Sequence, residues 1–151
     1  MSFKLSKKSL KRLEGVESDI VKVVKRAIEI TTIDFGVIEG LRTLETQAEY
    51  FALGKSQTMN SKHLEGKAVD LMAYVGSAAS WEITLYDNIA DAMKQAAIEL
   101  NVPIRWGAAW HIPDIRKYNG TMQEATDEYV KLRHSQGRRP FVDAPHFEEG
   151  E

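Results

Sequence analysis

The sequence contains no cysteine at all. This absence excludes a disulfide framework and any zinc site built on thiolates, so a zinc ion here would need histidine and carboxylate ligands. No apolar run approaches the ~20 residues of a membrane span, and the lysines near the N-terminus are not followed by the apolar segment of a signal peptide. The net charge of −2 gives no reason to expect binding to nucleic acid or insertion into a membrane. We therefore expect a protein that stays in the cytoplasm unless something else opens the membrane.

What the sequence does contain is typical of one folded domain. With 151 residues, 43% of them hydrophobic, the chain is long enough to bury a core, and we treat 1–151 as a single domain. Apolar residues at helical spacing predict helices over about 19–30, 84–101 and 122–134, with a shorter helix before the first. Ser6 and Ser18 are predicted N-caps, and a further helix runs from about residue 44 to a C-terminal cap at Gly54.

Short strands complete the predicted architecture. They are expected at 34–39 and 104–106, and residues 55–60 have the composition of a polar loop. The sequence therefore predicts an α+β fold in which a small antiparallel sheet packs against helices.

One stretch, Ser61-Lys62-His63-Leu64-Glu65-Gly66-Lys67-Ala68-Val69-Asp70, carries the first candidate metal ligands. A tight turn at Glu65-Gly66 would fold it into a hairpin, because glycine adopts the positive φ that such turns need. In that hairpin His63 lies opposite Ala68, and Asp70 projects from the same face, close enough for both side chains to bind one ion. An imidazole nitrogen and a carboxylate oxygen are ordinary zinc ligands, but a site needs a third.

The third ligand is expected in a second stretch, Asp143-Ala144-Pro145-His146-Phe147-Glu148. Its histidine would complete a zinc site with His63 and Asp70, and three protein ligands leave the open position of a catalytic centre. Asp143, three residues before that histidine, can serve as the general base without binding the metal.

The two stretches together resemble a known family. Ser-x-His-x-x-Gly-x-Ala-x-Asp, followed downstream by Asp-x-x-His-Phe-Glu, is similar to the zinc peptidases of the D-Ala-D-Ala carboxypeptidase/VanY type. It is most similar to the short phage endolysins that act as L-alanyl-D-glutamate peptidases. Further matches are Gly40-Leu41-Arg42-Thr43 with Gln47, Arg105-Trp106-Gly107-Ala108-Ala109-Trp110, and the opening Met1-Ser2-Phe3-Lys4. The resemblance runs from the N-terminus to about Glu148, with one departure at Ala109, where relatives often carry an aspartate.

The resemblance implies an endolysin with one Zn²⁺ per chain that cleaves between L-Ala and D-Glu in the stem peptide of bacterial peptidoglycan. It implies a fold like that of the D-Ala-D-Ala peptidases and of hedgehog-like domains. Such a protein is made in the host cytoplasm and acts on the wall in the periplasm, after a separate holin has opened the membrane. We expect a monomer.

The resemblance also implies roles for individual residues. Arg42 is expected to point into the cleft and to stabilise the oxyanion of the reaction, although an ion pair that merely anchors the following helix is the alternative. Asp143 is expected to take a proton from water and to return it to the leaving amine. Ser61, Gln47 and Trp110 are expected to contact the substrate, with the alternatives that Ser61 fixes the neighbouring metal ligand and that Trp110 is a core anchor.

Residues 111–140 are predicted to form an insertion, either a lid or a wall of the substrate groove. His111 and His134 lie in this insertion, and we expect both on the surface rather than at the metal. His111 lacks a matching partner pattern, and His134 lies on a charged helix beside Arg133. The pair Arg138-Arg139 is expected to be solvated, with contact to acidic groups of peptidoglycan as the alternative. Just before the insertion, Trp106 is predicted to lie in the core.

Other functions remain open from the sequence. A D,D-carboxypeptidase or dipeptidase could use the same site with a different groove. A zinc-binding module without turnover would need neither Asp143 nor Arg42, and a purely structural zinc site would normally close its fourth position with another protein ligand.

Overall fold

A computed structural model describes residues 3–55 and 61–151. The helices are α1 (Lys7–Arg12), α2 (Ser18–Ile30), α3 (Leu44–Ala52), α4 (Ile83–Leu100) and α5 (Met122–Ser135). The strands are β1 (Asp34–Glu39), β2 (Ala68–Val75), β3 (Ala78–Ser80), β4 (Ile104–Trp106) and β5 (His146–Glu149). The predicted α+β class is confirmed. Of the polar loop predicted at 55–60, all but Lys55 lies outside the described residues.

The strands form one antiparallel sheet in the order β1-β2-β5-β4. Strand β2 lies at its centre, with β1 along one edge. Its other edge is shared by β5, which pairs with residues 68–70, and β3, which pairs with residues 73–75. Strand β5 is thus inserted between two strands that precede it in the sequence.

Alternation along the central strands separates the core from the opposite face of the sheet. Val69 and Leu71 of β2 and Phe147 of β5 are completely buried in the hydrophobic core, which also contains the apolar stripes of α2 and α4. Successive side chains of a strand point to opposite faces. Asp70 and His146 therefore project away from the core, and the sheet register places them directly opposite each other.

Local signals account for several helix ends. Ser6 accepts a hydrogen bond from the Ser9 N–H and is the N-cap of α1, as predicted. Asn101 ends α4 with a φ of 55°. The prediction of Ser18 as an N-cap is wrong, because the N-cap of α2 is Glu17. The Glu17 N–H donates a hydrogen bond to the carbonyl of Gly66, which belongs to a distant segment of the chain. No helix in the described part of the chain combines the length and the apolar character that a membrane span requires.

The hairpin predicted at 61–70 is wrong. Lys62–Glu65 forms a 3-10 turn instead, capped by Ser61, whose side chain accepts a hydrogen bond from the N–H of His63. The positive φ expected at Gly66 is present, at 71°, but it ends this turn rather than reversing a strand. A glycine in the left-handed region serves either purpose, so the local sequence does not distinguish them.

Candidate active site

The three side chains predicted as metal ligands meet at one point. His63 Nε2, Asp70 Oδ1 and His146 Nδ1 form a triangle, with 3.2 Å between the nitrogens and 3.3 Å from the oxygen to each of them. A tetrahedral zinc ion with bonds of about 2.0–2.1 Å holds its ligand atoms about 3.3–3.4 Å apart. The triangle therefore has the size of one face of a zinc coordination tetrahedron. Within residues 3–55 and 61–151, it is the one cluster of three or more acidic or histidine side chains that could hold a metal.

Each ligand comes from a different element. Asp70 and His146 are opposite partners on β2 and β5, so the register of the sheet fixes their separation. His63 lies on the 3-10 turn, and its carbonyl accepts a hydrogen bond from the Arg42 N–H at 2.9 Å. The His63 ring is nearly inaccessible to solvent, and its Nδ1 lies 2.7 Å from the Gly40 carbonyl oxygen.

Hydrogen bonds on the outer side of both imidazole rings fix which nitrogen keeps the proton when the ring is neutral. His63 Nδ1 donates to the Gly40 carbonyl, which can only accept. His146 Nε2 donates to Glu148 Oε1 at 2.8 Å. In the neutral rings, the inner nitrogens then carry lone pairs that face Asp70 Oδ1, a buried oxygen without a hydrogen-bond partner. Three acceptors that face one another need a cation between them, so these residues fit a zinc ion.

The pKa values of the metal-free site have the same physical cause. Burial alone would lower the pKa of His146, but Asp70 and Glu148 outweigh this effect and raise it to about 10. Burial alone would raise the pKa of Asp70, but His146 and His63 hold it well below its usual range. The site thus stabilises positive charge strongly, and a divalent ion competes there with a proton.

Glu148 is a site residue that the sequence analysis missed. Its carboxylate is buried, binds the outer nitrogen of His146 and lies 3.5 Å from Lys62 Nζ. Burial acts to raise its pKa, but the hydrogen bond to His146 outweighs burial and lowers the pKa of Glu148. The signal that could have found it is spacing, because residues i and i+2 of a strand share one face.

Arg42 lies next to the three predicted metal ligands, and ion pairs and a hydrogen bond hold its side chain there. Its Nε donates to Glu39, its Nη1 donates to Gln47 at 2.6 Å, and its Nη2 lies 3.6 Å from Asp70 Oδ2. The guanidinium also lies 4.7 Å from the centre of the Tyr50 ring. Ion pairs therefore anchor Arg42, and its side chain lines the cleft above the metal ligands as well.

Two of the three residues predicted to contact substrate border this cleft. Ser61 and Trp110 line it, and the Trp110 ring packs 5.4 Å from the His146 ring. Gln47 is completely buried, and its Oε1 accepts the hydrogen bond from Arg42. The structure therefore argues against the predicted contact of Gln47 with substrate. Its buried side chain helps to position Arg42 instead.

Asp143 lines the same cleft. Its N–H donates to the Gly107 carbonyl, and the Gly107 N–H donates to the His146 carbonyl, both at 2.8 Å. A Cβ at Gly107 would lie 2.2 Å from the Asp143 carbonyl oxygen, so the two segments approach this closely only because residue 107 is glycine. Burial, followed by the charge of Asp70, raises the pKa of Asp143, which suits a group that must exchange protons near neutral pH.

The predicted insertion supplies one wall of the cleft, whose volume is about 1030 Å³. His134 is exposed, as predicted. His111 lies outside the metal cluster, as predicted, but its side chain is less exposed than expected, at 12%, because it is bonded to Glu128 at 3.0 Å and stacked on Tyr129. Residues of this segment that line the cleft are Tyr129, Arg133, Arg138 and Arg139.

The core around Trp106 agrees with the sequence prediction. Trp106 is completely buried, and its indole N–H donates to the Ala144 carbonyl at 2.7 Å. Ala109, the departure from the family pattern, is also completely buried and belongs to the hydrophobic core. An apolar contact therefore occupies the position where relatives often carry a carboxylate.

Comparisons with known proteins agree with this geometry. The family model described as phage L-alanyl-D-glutamate peptidase matches residues 1–149. The chain is 35% identical to the L-alanyl-D-glutamate peptidase of Escherichia phage T5 over 115 residues, which cover 74% of this chain and 84% of that protein. It is 33% identical to the L-alanyl-D-glutamate peptidase of Listeria phage A118 over 82 residues, which cover 54% of this chain and 28% of that protein.

A solved structure is similar over nearly the whole chain. The crystal structure of Serratia marcescens L-Ala D-Glu endopeptidase ChiX matches with a TM-score of 0.73 and 30% sequence identity, covering 98% of this chain and 90% of that one. The resemblance seen in the sequence motifs is thereby confirmed. The chain belongs to the phage L-alanyl-D-glutamate peptidase family.

Proposed function

We propose that this chain is a zinc-dependent endolysin that hydrolyses the L-Ala–D-Glu bond in the stem peptide of bacterial peptidoglycan. Family membership and the activities named for its relatives support the peptidase function and the scissile bond. The main observation in support of metal dependence is the triangle of acceptor atoms on His63, Asp70 and His146. One of these atoms, Asp70 Oδ1, is buried and has no hydrogen-bond partner among the described residues. One such cluster among the described residues supports one ion per chain.

The residues around the triangle account for the proton transfers of peptide hydrolysis. A zinc ion bound there supplies a Lewis acid that polarises the peptide carbonyl and activates water. A carboxylate oxygen of Asp143 accepts the proton of the attacking water and then gives it to the leaving nitrogen of the glutamate. The guanidinium of Arg42 has five N–H donors, and its contacts with Glu39, Gln47 and Asp70 leave donors for the oxygen that becomes negatively charged.

The place of action follows from the substrate. We propose that the chain is made in the host cytoplasm, reaches the wall through a membrane opened by a separate holin, and works there as a monomer. The phage origin of the named relatives supports action on the wall of a bacterial host.

Mass spectrometry of digested peptidoglycan tests the scissile bond. The purified, zinc-loaded chain is expected to release peptides with a new N-terminal D-Glu and to leave L-Ala on the glycan. Free D-Ala with an intact L-Ala–D-Glu bond would contradict the proposal and favour the D,D-carboxypeptidase function.

Histidine variants test the metal site, with controls supplied by the same chain. His63→Ala and His146→Ala are expected to lose zinc and activity together, because each removes one of three ligands. His111→Ala and His134→Ala remove histidines outside the triangle and are expected to retain both. Loss of zinc from His111→Ala, measured by elemental analysis, would overturn the ligand assignment.

A further inference from the structure

One wall of the cleft carries arginines that have no acidic partner among the described residues. Arg133, Arg138 and Arg139 all line the cleft, and none of them takes part in an ion pair within residues 3–55 and 61–151. Two other cations that line the cleft do have acidic partners, because Arg42 is paired with Glu39 and Lys62 with Glu148, while Lys55 Nζ lies 5.7 Å from the centre of the Tyr50 ring. The charge of the arginine wall is therefore available to something outside the chain.

The end of α5 fixes the backbone from which these arginines project. The Arg138 N–H donates to the Arg133 carbonyl at 2.9 Å, and Gly137 has a φ of 67°. A hydrogen bond from a residue back to the fifth residue before it, with a glycine in the left-handed region at the helix end, defines a Schellman turn. A Cβ at Gly137 would have no heavy atom within 4 Å, so the turn requires glycine for its backbone conformation alone. Pro140 disfavours helical backbone at the preceding residue, Arg139.

The segment after the turn is anchored to the cleft as well. The Tyr129 hydroxyl donates to the Phe141 carbonyl at 3.0 Å. The Phe141 ring stacks on Trp110 at 6.4 Å, and Trp110 in turn packs against His146 at 5.4 Å. The arginine wall is thus part of a connected layer that extends from α5 to a metal ligand.

The proposed substrate carries a negative charge close to the bond that breaks. The nitrogen of its glutamate belongs to the scissile peptide bond, and glutamate has two carboxyl groups. The peptide can continue through only one of them, so the other is free and ionised at neutral pH. This carboxylate lies on the residue that leaves with the new amine, a few covalent bonds from its nitrogen.

Asp143 indicates on which side of the metal ligands that residue lies. In the proposed reaction it gives a proton to the leaving nitrogen, so this nitrogen must come within its reach. Arg139 precedes Asp143 by four residues on the same segment, and their Cα atoms can be no more than about 14 Å apart. A leaving residue whose nitrogen is within reach of Asp143 is therefore also close to the segment that carries Arg139.

We propose that Arg138 and Arg139, together with Arg133, bind the free carboxylate of the D-glutamyl residue and so determine specificity on the leaving side of the bond. The planar guanidinium presents paired N–H donors that match a carboxylate, which makes arginine suited to this recognition. This inference rests on the proposed function and names the group of the substrate that the wall recognises.

A pair of matched substrates tests it. One is an N-acylated L-alanyl-D-glutamyl peptide, and the other is the same peptide with its free carboxylate converted into a carboxamide. The wild-type chain is expected to prefer the carboxylate peptide by about 5- to 30-fold in kcat/KM, mainly through KM, as for partly exposed charge-assisted hydrogen bonds. Added salt should reduce this preference.

The variant Arg138→Ala/Arg139→Ala is expected to lose the preference. Its kcat/KM for the carboxylate peptide should fall toward the value for the carboxamide peptide, which itself should change little. The control Lys7→Ala/Lys8→Ala removes two exposed cations from α1. This control lowers the net charge by the same two units as the arginine variant and should keep the preference for the carboxylate peptide. Circular dichroism of both variants verifies that they fold.

The outcomes separate this inference from the proposed function. A wild-type chain that cleaves both peptides equally well, or an arginine variant that retains the full preference, would overturn the inference and leave the peptidase function intact. A zinc-loaded wild-type chain that cleaves neither peptide nor peptidoglycan would refute the proposed function, and the inference would fall with it.

Discussion

At the scale of single residues, three carboxylates of the site differ in what surrounds them. Burial acts to raise the pKa of Asp70, Glu148 and Asp143 alike. At Asp70 and Glu148 the neighbouring histidines outweigh burial and lower the pKa, so these groups stay charged, as cation binding requires. At Asp143 burial and the charge of Asp70 prevail and raise the pKa. Carboxylates whose pKa values are moved apart in this way can take different roles in one reaction.

The first prediction concerns Asp143→Asn, which keeps the shape of the side chain but cannot accept a proton. We expect kcat on the L-Ala–D-Glu peptide to fall about 10²- to 10⁴-fold, the usual loss for a positioned general base. Zinc content, measured by elemental analysis, should remain at one ion per chain. If excess zinc restored full activity, Asp143 would serve the metal and not the proton transfer.

Glu148→Gln tests the carboxylate behind His146. Because Glu148 accepts the proton of the outer nitrogen, its loss should weaken zinc binding by about 10- to 100-fold, with activity recovered at high zinc concentration. Competition with a chelator measures the affinity. Glu149→Gln is the matched control, since Glu149 pairs with Lys67 at 3.6 Å and not with a ligand. Equal loss of affinity in both variants would contradict a specific role for Glu148.

At the scale of elements, the connection from β4 to β5 depends on a close approach at Gly107. Any Cβ there would collide with the Asp143 carbonyl, so Gly107→Ala must displace the segment that carries Asp143 and His146. We expect it to lower stability by about 1–3 kcal/mol, as for an overpacked site, and to reduce kcat/KM strongly. Urea unfolding and peptide hydrolysis measure the two effects.

Gly76→Ala is the control for that prediction. Gly76 has a φ of 62°, but a Cβ there would meet no atom within 4 Å. The substitution should cost only the backbone strain of about 1–2 kcal/mol and leave kcat/KM unchanged. A similar loss of activity in both alanine variants would show that general destabilisation, and not displacement of the β5 segment, is responsible.

The elements also show why the sequence predicted some features and missed others. Strand β1 and helices α2, α4 and α5 follow from apolar periodicity and caps, which are local, and their predicted limits agree with the structure within a residue or two. The hairpin at 61–70 failed because Gly66 satisfies two kinds of turn. The pairing of Asp70 with His146 joins segments far apart in the chain, so local patterns could indicate the ligands but not the strand geometry that brings them together.

At the scale of the whole molecule, stability is expected to depend on pH through Asp87 of α4. Its side chain is 8% exposed, and one of its carboxylate oxygens has no hydrogen-bond partner among the described residues. Burial, followed by the charges of Asp91 and Asp127, raises the pKa of Asp87 to about 6. The folded protein therefore binds this proton more tightly than the unfolded chain, whose aspartate pKa is about 3.9. The resulting stabilisation is complete below about pH 4 and is lost as the pH rises to about 6.

Asp87→Asn removes this dependence, because the amide cannot ionise. The variant should match the wild type near pH 4 and exceed its free energy of unfolding by about 1–3 kcal/mol at pH 8. Thermal unfolding at both pH values, with all metal removed by a chelator, measures the difference in stability between the variant and the wild type without a contribution from metal binding. Glu14→Gln, which removes an exposed carboxylate, should show no such pH-dependent gain. A variant less stable than the wild type at pH 8 would contradict the explanation.

The position of β5 between β2 and β4 has a consequence for protein synthesis. His63 and His146 are 83 residues apart, and a ribosome adds about 5–20 residues per second. About 4–17 s therefore pass between the translation of His63 and that of His146. During this time neither the pairing of β2 with β5 nor the triangle of His63, Asp70 and His146 can form. If hydrolysis depends on an ion held by the triangle, as proposed, a nascent chain is inactive until β5 has been translated and inserted into the sheet.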